Sequence, residues 1–271
     1  MRTRSWPKPK RSFSKKRWGD DRVKRPFPGQ EDAILALGQR LERTIKTPSL
    51  TLAGEALILD LCGGLWLAAH RTLIVSDLHL EKGSAYAARS GQFLPPYDTR
   101  ETLACLHEAV ARLDPARVVA LGDSFHDSRG PERMEPGDRA MVAALQAGRD
   151  WIWIAGNHDH AVSEGVGGRY AETLVMGGLT LRHEPSPDAS EGEIAGHLHP
   201  CGKVAMRGRA VRRRCFVTDG KRLVMPAFGA YAGGLNVRNP VFDPLFPGGF
   251  TAHLLGDGRV FAIGKAMLAR D

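Results

Sequence analysis

Side chains that bind divalent metals stand directly after five short apolar runs of this chain. They are Asp77 and His79, Asp123, Asn157, His183, and His197 with His199. One zinc ion takes three or four ligands, so seven candidates exceed what a single ion needs. They suit two divalent ions about 3.5–4 Å apart, bridged by one carboxylate and a water molecule or hydroxide. Such a pair neutralises the charge of a phosphodiester and activates the attacking water.

The apolar runs have the length and β-branched composition of buried strands. Ligand sites of α/β sheets lie at the carboxyl ends of the strands, which is where these side chains stand. Helices are predicted at Tyr97–Leu113 and Gly137–Ala147, between the first three runs, so the strands there are expected to be parallel. After His183 the pattern predicts strands only. The sequence therefore predicts a mixed α/β domain.

Charge divides the chain into unequal parts. The net charge is +8, but residues 1–25 alone hold eleven Lys or Arg against two Asp, and the remainder is close to neutral. We predict a basic, disordered tail over residues 1–30, a short helix or linker over 31–48, and the catalytic domain over 49–271. The tail is either an arm that binds nucleic acid or a solvated segment without a partner, and the sequence leaves both readings open.

Cysteine usage and hydropathy favour a cytoplasmic protein. The four cysteines lack C-x-x-C spacing, which argues against a zinc knuckle or a disulfide framework. No apolar run reaches the length of a membrane span, and the first residues lack the apolar core of a signal peptide. We therefore expect no membrane partner.

The motifs together resemble the signature blocks of the calcineurin-like metallophosphoesterases. The blocks are Asp77-x-His79, Gly122-Asp123-Ser124-Phe125-His126, Gly156-Asn157-His158-Asp159, His183 and Gly196-His197-Leu198-His199. The resemblance implies a four-layer α/β/β/α sandwich with two mixed β-sheets. It also implies one metal held by Asp77, His79, Asp123 and His199, and a second held by Asp123, Asn157, His183 and His197. His158 is then the catalytic residue that donates a proton to the leaving oxygen or stabilises charge on the phosphorus, and Asp159 orients it.

Further segments resemble one subgroup, the ligase-associated DNA damage response endonucleases. They are the run Leu78–Gly83, the block Leu121–Asp127, the run Leu181–Pro185 and the segment Pro226–Leu235. The subgroup implies a Mn²⁺-dependent phosphodiesterase and DNA endonuclease of a DNA repair system. Its partners are then DNA, an ATP-dependent DNA ligase, a helicase and a nuclease. Ligation by Asp, His and Asn without thiolate is compatible with Mn²⁺, Fe²⁺ or Zn²⁺.

Basic residues near the motifs are candidates for DNA phosphate contacts. They are Lys82, Arg207, Arg209, Arg212, Arg213 and Arg214. A solvated hairpin face explains the arginines equally well. His126 stands where many members of the family carry Asp, and the roles of His126 and Asp127 stay open.

Two other functions are compatible with parts of the pattern. The same chemistry acts on small nucleotides or nucleotide-sugar pyrophosphates, although the sequence shows no apolar helical insert for acyl chains. A non-catalytic scaffold on this fold is disfavoured, because buried charged ligands without metal would cost stability.

Overall fold

The computed structural model describes residues 48–90, 97–158, 165–188, 191–206 and 208–271. The predicted basic tail, residues 31–47 of the predicted helix or linker, Asp159 and Arg207 lie outside these ranges. No helix in the described part of the chain is long and apolar enough to cross a membrane.

Two mixed β-sheets form the centre of the fold. The seven strands of the first sheet are β1 Ser49–Leu52, β2 Glu55–Leu59, β3 Leu65–Leu67, β4 Thr72–Ser76, β5 Arg117–Leu121, β6 Asp150–Ile154 and β7 Arg169–Ala171. They lie in chain order, antiparallel from β1 to β4 and parallel from β4 to β7. The parallel part brings the carboxyl ends of β4, β5 and β6 to one edge.

The second sheet has nine strands, which are β8 Leu174–Met176, β9 Leu179–Arg182, β10 Glu193–Ala195, β11 Pro200–Met206, β12 Arg209–Thr218, β13 Arg222–Val224, β14 Leu235–Asn236, β15 Thr251–Leu255 and β16 Val260–Gly264. Its order is β14-β11-β12-β13-β10-β9-β8, with β15 also paired to β12 and β16 to β15. The parallel strands β9 and β10 end at one edge of this sheet.

Four α-helices are described, and all follow β4 or β5 in the chain. They are α1 Lys82–Ser90, α2 Asp98–Leu113, α3 Gly130–Arg133 and α4 Pro136–Gln146. Short 3-10 helices occur at Ala68–His70, Pro240–Phe242 and Lys265–Met267. Helices α2 and α4 confirm the two predicted helices, whereas the sequence pattern did not indicate α1.

Successive side chains of the central strands alternate between the core that lies between the two sheets and the core beneath the helices. In β4, Ile74 packs between the two sheets, while Leu73 and Val75 face the helices. In β6, Ile152 and Ile154 take the inner face, and the tryptophans on either side of Ile152 take the outer one. Because successive side chains of a strand point to opposite faces, a strand buried on both sides carries a continuous run of apolar residues.

The predicted sandwich with two mixed sheets is confirmed. On the outer face of the second sheet, the described covering layer includes the 3-10 helix Pro240–Phe242, the loop after it and Leu268. Phe242, Leu245, Phe246 and Phe250 pack there onto the sheet. In the described ranges, α-helices thus cover the first sheet only.

Candidate metal centre

The carboxyl ends of strands from both sheets meet at one place, and the candidate ligands converge there. The ligand atoms of Asp77, His79 and His199 lie within 4.8 Å of one another, as do those of Asp123, His183 and His197. Asp77 and Asp123 follow strands of the first sheet, whereas the other sheet supplies His183 and the two histidines after β10. Each group therefore needs both sheets.

Asp123 lies between the two groups. Its Oδ2 is 4.0 Å from Nε2 of His79 in the first group, and its Oδ1 is 3.5 Å from Nε2 of His183 in the second. Asn157 completes the second group, since its Oδ1 lies 2.9 Å from His183 Nε2 and 3.0 Å from His197 Nδ1. The structure thus brings together all seven residues that the sequence indicated.

The backbone of this site is locally strained. Nine non-glycine residues in the described ranges have positive φ, and five of them are candidate ligands, namely Asp77, His79, Asp123, His197 and His199. This left-handed conformation is unfavourable for residues with a Cβ and persists only where the surroundings enforce it. The left-handed residues turn the chain sharply at the strand ends, so that side chains from separate loops converge on one point.

Hydrogen bonds between loops hold these strained turns in place. The loop after β4 pairs with the loop after β5, since the amide nitrogens of His79 and Leu80 donate to the carbonyls of Asp123 and Ser124, each at 2.9 Å. The amide of Phe228 donates to the carbonyl of Ser76 at 2.8 Å. The segment that holds Phe228, although remote in sequence, therefore supports the end of β4.

Gly122 shows how closely the two sheets approach each other at the site. Its φ is +67°, and a Cβ at this position would overlap the imidazole ring of His183. Only glycine tolerates both the left-handed backbone and this contact. The glycine before Asp123 is therefore a geometric requirement of the site.

Burial and charge prepare these side chains to bind cations. Burial lowers the pKa of His79 to about 3, which keeps its ring neutral and its nitrogen lone pair available at neutral pH. Burial also lowers the pKa of His197, with His183 beside it adding to the effect. Burial opposes ionisation of Asp77, but its hydrogen bond with His199 and the charge of that ring hold its pKa below the ordinary range.

The donor atoms fit a pair of divalent metal ions. His183 Nδ1 lies 3.0 Å from the carbonyl of Leu121, which can only accept, so Nδ1 carries the proton and Nε2 presents a lone pair to the cluster. Most metal-binding histidines donate the proton of the nitrogen that does not bind the metal to a carbonyl or carboxylate in this way. In the first group, Nε2 of His79 and Nε2 of His199 face each other at 3.1 Å. Imidazole nitrogens and carboxylate oxygens that converge in this way are suited to bind cations.

His158 lies at the exposed side of the cluster. Its amide donates to Oδ1 of Asp123 at 2.9 Å, and its imidazole Nε2 lies 3.9 Å from Oδ2 of the same carboxylate. The side chain is 40% exposed, whereas that of Asp123 is 4% exposed. His158 therefore borders the face from which a substrate can approach. Its proposed partner Asp159 lies outside the described residues.

The neighbouring residues His126 and Asp127 have different surroundings. The ring of His126 stacks on the ring of His158. Asp127 instead accepts from Arg133 at 2.8 Å and from the amide of Arg129 at 3.0 Å. Asp127 is thus a loop-stabilising carboxylate, and it belongs to neither candidate ligand group.

The basic residues that were predicted to contact DNA fall into two sets. Three are engaged by the protein itself: Lys82 donates to the carbonyl of Tyr231, Arg212 to that of Gly234, and Arg214 to those of Ala227 and Phe228. Arg209 and Arg213 lie on the exposed part of β12. Arg207 is outside the described residues.

Comparison with known proteins agrees with this geometry. Residues 70–204 match the model of the calcineurin-like phosphoesterases, and this range contains all seven candidate ligands. The chain belongs to the calcineurin-like phosphoesterase family. The family uses a dimetal centre, so this phosphoesterase is a metal-dependent hydrolase with two groups of residues suited to the metals.

A solved structure with the same fold is that of the Pseudomonas putida nuclease MPE. It is 28% identical in sequence to this phosphoesterase, with a TM-score of 0.61, and the match covers 80% of this chain and 99% of that one. None of the proteins with curated functions matches the phosphoesterase.

Sequence reasoning missed two features beside the centre. Helix α1 follows the first motif and places Tyr86 against His126. Glu81 is buried and accepts hydrogen bonds from the hydroxyls of Ser84 and Thr99, which anchors the start of α1. The spacing of Lys82, Tyr86 and Arg89 was the available signal, since these positions share one side of a helix.

Proposed function

We propose that this phosphoesterase is a dimetal phosphodiesterase that cuts DNA as an endonuclease in DNA repair. The observation that carries the proposal is the pair of ligand groups with Asp123 between them. A DNA substrate is supported by the similarity to a solved nuclease. The repair role, and the partnership with an ATP-dependent DNA ligase, a helicase and a nuclease, rest on the motifs of the ligase-associated subgroup.

The proposed ligand assignment follows the two groups. Asp77, His79, Asp123 and His199 would hold one ion, and Asp123, Asn157, His183 and His197 the other. Bound there, two divalent cations supply charge neutralisation at the phosphate and a lowered pKa of a coordinated water molecule. Oxygen and imidazole donors without thiolate are compatible with Mn²⁺, Fe²⁺ and Zn²⁺, among which we propose Mn²⁺.

Protein side chains account for the remaining steps. His158 would give a proton to the oxygen that leaves when the phosphodiester breaks, since its exposed imidazole borders the centre. Asp123 fixes the position of His158 through the backbone hydrogen bond described above. Arg209 and Arg213, on the exposed part of β12, remain candidates for phosphate contacts. We place the enzyme in the cytoplasm, where a DNA substrate and four free cysteines are both expected.

The test compares two substrates, each with Mn²⁺ and with EDTA. One is covalently closed circular single-stranded DNA, which only an endonuclease can open, and the other is a small aryl phosphodiester. We expect Mn²⁺-dependent cutting of the circle, and its loss with EDTA and in His199→Ala. Turnover of the small diester with an intact circle would instead favour a small nucleotide or nucleotide-sugar pyrophosphate as substrate.

A further inference from the structure

Three aromatic rings form a column that begins at the candidate centre and ends at the surface. The His126 ring is the middle member, and its centroid lies 5.4 Å from that of His158 and 5.4 Å from that of Tyr86. The interplanar angles are 19° with His158 and 28° with Tyr86, so both contacts are offset stacks. The chain thus places a stacked tyrosine two ring steps from the proposed proton donor.

The outermost ring of this column is accessible to solvent. Tyr86 is 36% exposed, although it is a large aromatic residue in contact with a partly buried ring. His126 Nδ1 is buried and has no hydrogen-bond partner among the described residues. Within the described residues, the His126 ring is thus contacted by its stacked neighbours and not by a hydrogen bond at Nδ1. The column is therefore an aromatic wall whose outermost ring is partly exposed to solvent.

Positive charge flanks the exposed ring on the same helix. Lys82 precedes Tyr86 by four residues and Arg89 follows it by three, so all three share one side of α1. The Arg89 side chain is 65% exposed, with its guanidinium 3.5 Å from Asp127. An aromatic ring between cations is the combination with which proteins bind unpaired nucleotides, since bases stack and phosphates pair.

We propose that Tyr86, backed by His126, is a stacking platform for one unpaired nucleobase of the substrate strand. The base belongs to a nucleotide adjacent to the phosphodiester at the centre, and Arg89 meets a neighbouring phosphate. Every base has an aromatic face, so the platform accepts all four bases and constrains only strand geometry. This inference rests on the proposed function, because it requires a nucleic acid substrate.

The test removes the base and the ring separately. An oligodeoxythymidylate is prepared with a single abasic residue at each position in turn, and KM and kcat are measured with Mn²⁺. We expect one position at which loss of the base raises KM of the natural enzyme about tenfold. In Tyr86→Ala, KM should rise to the same extent for the intact strand, and the abasic residue should then add nothing.

Further variants separate stacking from folding. Tyr86→Phe keeps the ring and should keep the discrimination, whereas Tyr86→Leu keeps an apolar side chain on the helix and should lose it. Phe261→Ala is the matched control, because Phe261 is an exposed aromatic residue beside a cation, Arg259, and lies on β16. An oligonucleotide with 2-aminopurine at the same position reports stacking independently of turnover, through quenched fluorescence that Tyr86→Leu should restore.

Two results would overturn the platform, and they differ in what they imply. If the natural enzyme cuts DNA but Tyr86→Ala and Tyr86→Leu retain the full abasic penalty, the platform is wrong and the proposed function stands. If the natural enzyme with Mn²⁺ turns over a small diester and leaves all DNA intact, both proposals fail together.

Discussion

The amide nitrogen of His197 lies 3.0 Å from Oδ2 of Asp77, although the two residues are 120 positions apart. Asp77 ends a strand of the first sheet, and His197 follows a strand of the second. The same carboxylate oxygen accepts from the hydroxyl of Ser76 at 2.6 Å. Because hydrogen bonds to a buried carboxylate favour its ionised form, this contact both joins the two sheets and keeps a negative charge where a cation can bind.

Asp123 is the residue whose loss should damage both metal sites. We expect Asp123→Ala to bind fewer metal ions than the natural protein and to lose activity by at least about a hundredfold, because the carboxylate lies between the two groups. Metal content is measured by atomic emission on the purified protein, and activity with the small diester. The control is Asp243→Ala, which removes an exposed carboxylate bound to Lys265. Normal turnover with both metals retained would contradict the bridging role.

His158 should separate metal binding from catalysis. In His158→Ala the metal content should stay unchanged while kcat falls by roughly 10²–10⁴-fold, the usual contribution of a proton donor. The loss should be smaller for a diester whose leaving group is a weak base, because such an oxygen needs no proton. A variant that loses its metals would show instead that His158 is a ligand.

A substitution at Gly196 tests how closely the loop after β10 approaches the end of β4 at the candidate centre. A Cβ at this position would overlap the hydroxyl of Ser76 and come within 2.6 Å of Oδ2 of Asp77. We expect Gly196→Ala to lower the free energy of unfolding by about 1–3 kcal/mol and to reduce metal content. Gly248→Ala is the control, since a Cβ there meets nothing within 4 Å. Equal stability and metal content in the two variants would show that the loop after β10 relaxes freely.

Asp60 stabilises the fold far from the chemistry and should respond to pH. It is buried, and its carboxylate pairs with Arg112 at 2.8 Å and 2.9 Å and accepts from the amide of Cys62 at 3.0 Å. Burial raises the pKa of Asp60, but these hydrogen bonds outweigh it and hold the pKa below its ordinary value of 3.8. The ionised form is therefore the one that the folded state prefers.

This direction of the shift sets the expected result. Because the pKa of Asp60 is lower in the folded state, its carboxylate stabilises the fold at pH values above 3.8. This stabilisation is lost as the pH falls through the pKa of the folded state. Asp60→Asn should lower the free energy of unfolding by about 1–3 kcal/mol at neutral pH. The loss is limited because Arg112 is partly exposed and solvent screens its charge. Urea unfolding at several pH values should show this difference shrinking in acid, whereas Asp257→Asn, at an exposed position, should show none. A difference that stays constant with pH would mean that charge is not the cause.

Local patterns in the sequence predicted strands, two helices and the candidate ligands, whereas the two mixed sheets followed from the family resemblance. The strands Thr72–Ser76 and Glu193–Ala195 lie at two of the apolar runs from which strands were predicted, and each ends just before candidate ligands begin. The side chains that could bind metals followed from chemistry, since few residue types do so. Helix α1 escaped prediction, because its sequence lacks an apolar stripe.

Residue types and spacing in this chain do not determine how these side chains share two groups; the family resemblance implied the division, and the tertiary structure produces it. Membership depends on which strand ends face each other across the sheets, and no local pattern encodes that relationship for Asp77 and His199. It also decided which basic residues are accessible, since Arg214 and Arg209 look alike in sequence. Arg214 is engaged by the carbonyls of a distant loop, whereas Arg209 lies on an exposed strand. The physical reason is that contacts between residues remote in the chain follow from packing, which only the folded chain specifies.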